Sequence, residues 1–240
     1  MLKQFLPLFI FLLSFSAANA QMYNAAYFYK SGIENKKNNK FPEALTDFTK
    51  AVSLKKNFDS AYVEMGNIYL NSNNAANSII NFKKALAINP KYTEAIAGMG
   101  RTYKDLKQNL DSGLFYYNAA VKLDSGNKEI FYELAWIYNA KKEYDTAIQY
   151  AVKALEIDNT YRAAYGELGH AYNASKQYAA AIEQFKKTLA VSVVDLALLY
   201  SGFCYTELHN KEAALQQYEE LKKVNEKMAV ALKRKIDAMQ

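Results

Sequence analysis

The sequence predicts an all-α solenoid of repeated helix-turn-helix units, and three observations predict it. Tyr62, Met65, Gly66 and Tyr69 stand at i, i+3, i+4 and i+7, which places them on one stripe of a helix. The same pattern returns with starts at Ala25, Asp59, Thr93, Lys128, Arg162 and Asp195. With 9 Gly and 3 Pro among 240 residues, 51% of them hydrophobic, the chain is too rich in core formers and too poor in breakers to be loop-dominated or disordered.

Met1 to Ala20 differs in character from the rest of the chain. Lys3, an apolar run from Phe5 to Phe15 and the small residues Ala18 and Ala20 before Gln21 are the charged start, apolar core and cleavage end of a secretory signal peptide. The run is short for a membrane span, so no transmembrane segment is expected once it is removed. Loss of Lys3 leaves 29 Lys and Arg against 24 acids. That mild excess does not call for nucleic acid, and export argues further against it. Cys204 is the only cysteine and has no internal partner, so it is expected to be buried. The expected location is outside the cytoplasm, periplasmic or secreted.

After a short lead at residues 21–24, the unit at 59–92 serves as the type. Its first helix carries Tyr62, Gly66 and Tyr69, and its second carries Ser78, Phe82 and Ala85 before Asn89-Pro90 stops it. Small residues let the two backbones approach while the rings fill the space beside them. The close-packed site of the first helix reads Gly32, Gly66, Gly100, Ala135, Gly169 and Gly202 through the chain, and the aromatic of the second reads Phe48, Phe82, Tyr117, Ala151, Phe185 and Tyr218. Ala151 is the one gap, and the third unit has an extra residue before Leu110.

This pattern of small, aromatic and Pro positions resembles the tetratricopeptide repeat. The resemblance implies a right-handed solenoid of six repeats, at 25–58, 59–92, 93–127, 128–161, 162–194 and 195–228. A capping helix at 229–240 closes the array, with Met228, Ala231, Leu232 and Ile236 on one stripe and Lys233, Arg234 and Lys235 on the other. The family's terminal Pro survives only as Pro90.

Catalytic signatures are missing: there is no His-Glu-x-x-His, no cysteine pair for zinc, no Gly-x-Ser-x-Gly and no phosphate-binding lysine loop. No cofactor, metal or enzymatic activity is expected. His170 and His209 lie in different repeats without a partner at ligand spacing. Gly98-Met99-Gly100 lies inside a first helix, which makes it a packing feature rather than a nucleotide loop.

What the resemblance implies about binding falls on the first helices, whose residues unused by the core line the concave face in the family. On this chain these include Val63, Asn67 and Leu70; Arg101 and Lys104; Tyr132, Trp136 and Asn139; Gly166, His170 and Asn173; and Phe203. Aromatics interleaved with amides and a few cations suit a protein partner or an extended peptide, the amides taking its backbone and the rings its side chains. Trp136, Tyr132 and the bare Gly166 are expected to wall a pocket for one apolar side chain, with Arg101 offering a cation nearby. The family's carboxylate-gripping clamp is not expected, because Tyr29 and Ile33 stand where it needs Asn and Lys. Rival readings are a self-associating scaffold, in which these rings meet a second copy of the chain, and an accessory subunit of a separate envelope enzyme. The lysines of the first unit, Lys30, Lys36, Lys37, Lys40, Lys50, Lys55 and Lys56, read as a solvated edge before they read as an anion site.

Overall fold

The computed structural model describes residues 24–190 and 192–239; the signal peptide expected at 1–20 lies outside them. Among the described residues all regular structure is helical. The α-helices are α1 (Ala25–Lys37), α2 (Phe41–Leu54), α3 (Asp59–Asn71), α4 (Ala75–Ile88), α5 (Thr93–Arg101), α6 (Leu110–Leu123), α7 (Lys128–Ala140), α8 (Tyr144–Ile157), α9 (Arg162–Ala174), α10 (Tyr178–Leu189), α11 (Asp195–Glu207), α12 (Lys211–Val224) and α13 (Glu226–Asp237). Two compact units divide the chain within α6, one ending at Tyr116 and the other beginning at Tyr117.

In the first unit the aromatic of each second helix lies against the glycine of the preceding one. A Cβ on Gly32 would stand 2.7 Å from the Phe48 ring, and one on Gly66 would stand 2.7 Å from the Phe82 ring. Gly98 of α5 approaches the same Phe82 ring more closely still, so Phe82 is clamped between glycines of α3 and α5. The hydroxyls of Ser78 and Thr102 lie 2.9 Å apart and reach the carbonyls of Gly66 and Gly98, at 3.1 and 2.8 Å. Thr102 opens a π-helical turn, Thr102–Leu106, closed by the Lys107 N–H donating to the Thr102 carbonyl at 3.2 Å. That wide turn takes up the extra residue of the third unit inside the helix rather than in the loop, and Tyr103 within it stacks on Tyr116 at 5.5 Å.

In the second unit Gly169 faces Phe185 in the same way, a Cβ there lying 2.7 Å from the ring. The hairpin of α7 and α8 departs from this rule in two places that explain one another. Ala151 replaces the ring, which leaves room for the methyl of Ala135 in place of a glycine, and both are fully buried in one cluster. Tyr150 supplies the missing aromatic from the adjacent position, stacking on Tyr138 at 5.3 Å and on Phe131 at 6.2 Å. At the end of the unit Gly202 faces Leu232 of α13, 2.5 Å from its Cβ position, rather than Tyr218. Helix α13 begins at Glu226, three residues ahead of the expected cap, because the Asn225 side chain accepts from the Met228 N–H at 3.1 Å and starts the helix there.

Each first helix ends in a tight turn with one residue in the left-handed region: Asn39, Asn73, Gln108, Lys142, Lys176 and His209, at φ between 50° and 64°. Asn tolerates this region, whereas a long side chain pays about 1–2 kcal/mol for it. Lys142→Gly should therefore raise stability by about 1 kcal/mol, and Asn73→Gly by less. Thermal melts of the two variants check this; equal shifts would contradict it.

Candidate functional site

The second unit holds a cavity of 380 Å³ formed by four helices. Helix α7 contributes Trp136, Asn139 and Ala140, a stripe at helical spacing, and α9 contributes Gly166, Glu167 and His170. Phe185 and Thr188 come from α10, while Val194, Leu196, Ala197 and Tyr200 come from α11 and the residue that precedes it. The lining is mostly apolar. Gly166 is the exception among the packed glycines, since a Cβ built on it meets nothing within 4 Å. It leaves open space in the lining at that point.

Two polar atoms in this lining are buried without a hydrogen-bond partner: Asn139 Oδ1 and His170 Nδ1. The Asn139 amide is held in one orientation, because its Nδ2 donates both to the Glu167 carbonyl, at 3.0 Å, and to the Glu167 carboxylate, at 2.9 Å. The free end is therefore the acceptor. His170 stands edge-on to the Tyr200 ring at 5.7 Å, and burial pushes its pKa down, which keeps the imidazole neutral at pH 7. Tyr200 in turn stacks on Phe185 at 6.2 Å. The hollow is thus lined by rings and aliphatic side chains, with Glu167 its one charged group.

The structure brings Trp136, Asn139, Gly166 and His170 together and places the other expected site residues elsewhere. Tyr132 sits edge-on to Tyr161, with 5.8 Å between their ring centroids, and Tyr200 is the ring that the cavity uses instead. Asn67 donates to Glu94 at 3.1 Å, and Asn173 accepts from the Cys204 thiol at 3.2 Å. With Lys36–Glu64 and Asn139–Glu167, these pairs bond one first helix to the next, so much of the polarity expected to meet a ligand is used within the chain. Arg101 is exposed and bonds Asp105 at 3.3 Å. Lys104, expected on the open face, lies in the π turn, is 8% exposed and pairs with Asp105 at 3.0 Å. Val63 and Leu70, also expected on that face, are in the core at 1% and 5% exposure. Phe203 packs against the cluster that α13 closes, with Lys235 over its ring at 5.3 Å. Cys204 is fully buried, and burial holds its thiol at about 12, far above a reactive range.

Glu167 and Tyr200 were not singled out from the sequence, and Phe185 was read only as the core ring of its repeat. Glu167 adjoins Gly166 on the same helix, so the stripe one residue over held that part of the signal.

Two family models described as tetratricopeptide repeat match the chain, one at residues 116–149 and the other at 59–92 and 163–191. The chain carries tetratricopeptide repeats at these positions. The first match begins in α6 and ends in α8, out of step with the other, as a stack of alternating helices permits. Solved structures place the chain in the all-α solenoid class. It resembles pilF of Pseudomonas aeruginosa at a TM-score of 0.79 and 13% identity, over 88% of this chain and 96% of that one. PilW, described as a widely conserved type IV pilus biogenesis factor, aligns at a TM-score of 0.78 and 16% identity, over 87% and 97%. YrrB, described as a TPR protein with an unusual peptide-binding site, aligns at 0.65 and 20%, over 78% and 97%. At such identities the likeness is one of fold. No curated protein matches the chain significantly by sequence. Among the described residues no helix is long and apolar enough to cross a membrane, and no group of three or more His, Cys, Asp or Glu is placed to hold a metal.

Proposed function

We propose that this tetratricopeptide repeat protein is an exported, non-enzymatic adaptor or scaffold that binds a protein partner through an extended segment, one side chain of which enters the cavity of the second unit. The repeats are the six at 25–228 followed by the closing helix. The observation that carries the reading is the cavity of 380 Å³ lined by Trp136, His170, Phe185 and Tyr200, with open space at Gly166 where a Cβ would meet nothing within 4 Å. A mostly apolar hollow of this size with a few polar residues in its lining is the kind of space that a ligand side chain fills.

Gly166→Leu is the direct test. The added side chain enters open space, so the variant should fold, and replacing a helical glycine should leave its melting temperature equal or higher. Peptides selected from a displayed library on the wild-type protein should bind this variant at least about tenfold more weakly, the loss expected when an anchor side chain is shut out. Equal affinity in a folded Gly166→Leu variant removes the cavity from the mechanism.

Export rests on Met1 to Ala20. Mass spectrometry of the protein from the envelope or medium should give a chain that begins at Gln21; a chain retaining Met1 in the membrane fraction would overturn it.

A further inference from the structure

We infer that the edge of the first unit where the end of α2 meets α1 and α3 docks on an anionic lipid bilayer, independently of the cavity reading above. Lys50, Lys55 and Lys56 are exposed there around Leu54, the last residue of α2, which is itself 57% exposed. Ring contacts tie these residues into one surface. Lys50 Nζ lies 5.1 Å from the centre of the Phe28 ring at the start of α1, and Lys55 Nζ lies 4.8 Å from that of Phe58, which stands 4.9 Å from Tyr29. Lys84 repeats the Lys50 contact one repeat later, over Tyr62 at 5.4 Å, and Lys91 is exposed in the turn that follows. The result is a row of ammonium groups on apolar stems with an aliphatic side chain among them.

Charge is one-sided at this edge. Asp59 and Glu94 open the helices α3 and α5 beside these turns, and both are engaged: Asp59 accepts from the Ser60 N–H at 2.7 Å and Glu94 from Asn67 at 3.1 Å. Asp47 of α2 is turned to Ser31 and Asn35. The matching turns of the second unit read Lys122-Leu123-Asp124 and Glu156-Ile157-Asp158, in which acids offset the lysines. The excess of cations therefore belongs to the first unit.

Three features favour a bilayer over a soluble polyanion. The sequence has no arginine before Arg101, so the edge lacks the planar fork that grips one phosphate in a fixed geometry and offers mobile point charges instead. Leu54 gives a soluble anion nothing to bind, whereas the headgroup boundary of a bilayer takes it readily, and with it Tyr27, which is 46% exposed and edge-on to Phe28. The third feature is position. Phe5 to Phe15 reads as the run held in the membrane during export, and only Gln21, Met22 and Tyr23 separate Ala20 from Asn24, the cap of α1. Such a link spans at most about 14 Å, which brings this edge to the membrane surface first.

The test is co-sedimentation of the mature chain, Gln21 to Gln240, with vesicles of phosphatidylcholine alone or with about 30% phosphatidylglycerol, at about 0.15 M salt. Acidic vesicles should bind it at least about tenfold more tightly than neutral ones, each lysine at the surface being worth about fivefold. Lys50→Glu/Lys55→Glu/Lys56→Glu should lose at least about thirtyfold, and Lys55→Gln/Lys56→Gln, which leaves Lys50 on its ring, at least about tenfold. Leu54→Asn, which changes no charge, should lose about fivefold. Circular dichroism checks the fold of each variant. Lys122→Glu/Lys153→Glu/Lys187→Glu in the second unit should stay within about threefold of the wild type. No preference for acidic vesicles overturns the inference, and so does an equal loss in the second-unit variant. Binding indifferent to Leu54→Asn overturns the bilayer assignment and gives the edge to a soluble polyanion. The library peptides should bind all these variants as they bind the wild type, so the lipid and cavity readings fail separately.

Discussion

Gly169→Leu should cost the second unit about 3 kcal/mol, a fall in melting temperature of about 6–12 °C. The first added carbon alone would stand 2.7 Å from Phe185 Cε1. The ring cannot retreat, being 2% exposed and stacked on Tyr200. The hairpin of α7 and α8 shows how the chain accommodates a methyl at this position, since its Ala135 faces Ala151. Phe185→Ala by itself should cost about 3–5 kcal/mol through the void it leaves. Gly169→Ala made on top of it should then cost little, because the methyl enters that void. A double-mutant cycle should return a coupling of about 1–3 kcal/mol. Additivity to within about 0.5 kcal/mol would show that glycine and ring do not compete for the same space.

Removal of Lys227–Gln240 should be the most damaging change to the chain. Helix α13 buries Ala229, Leu232 and Ile236 to 1% exposure or less, against Leu198, Ala214 and Leu221. Losing the large aliphatic pair forfeits about 1.5–3 kcal/mol for each side chain, and as much again is lost from the residues they cover. The bared face of α11 and α12 is a contiguous apolar patch at the open end of a solenoid, which drives association. Size-exclusion chromatography with light scattering should show aggregates; a truncated chain that stays monomeric at high concentration would contradict the capping role.

The repeat was legible because its signal lies in spacing: a glycine on one helix and a ring on the next recur in step through most of the hairpins. The coupling of Ala135 to Ala151 was visible only as two separate departures, since nothing in a linear reading says that the two positions face each other at one depth. The extra residue before Leu110 was countable but could not be placed, because a helix takes up an insertion by lengthening one hydrogen-bonded turn, as at Lys107 and Thr102. Lys104 lies buried in that same turn. At the site, Trp136, Asn139, Gly166 and His170 followed from the positions that the tetratricopeptide resemblance puts on the concave face. Tyr200 and Phe185 did not, because they reach the cavity from other helices. The engagement of Asn67 and Asn173 was hidden for a similar reason, their partners lying 27 and 31 residues away.

The central claim is that a partner's side chain enters the cavity beside Trp136. As the only tryptophan, Trp136 gives a single indole N–H signal in a ¹H–¹⁵N spectrum of the labelled protein. Titration with a library-selected peptide should move that signal saturably, together with the side-chain amide of Asn139, and leave the amides of Lys30 and Lys37 in the first unit in place. An unmoved indole signal at saturating peptide, with shifts confined to those first-unit residues, would contradict the account and place binding on the basic edge.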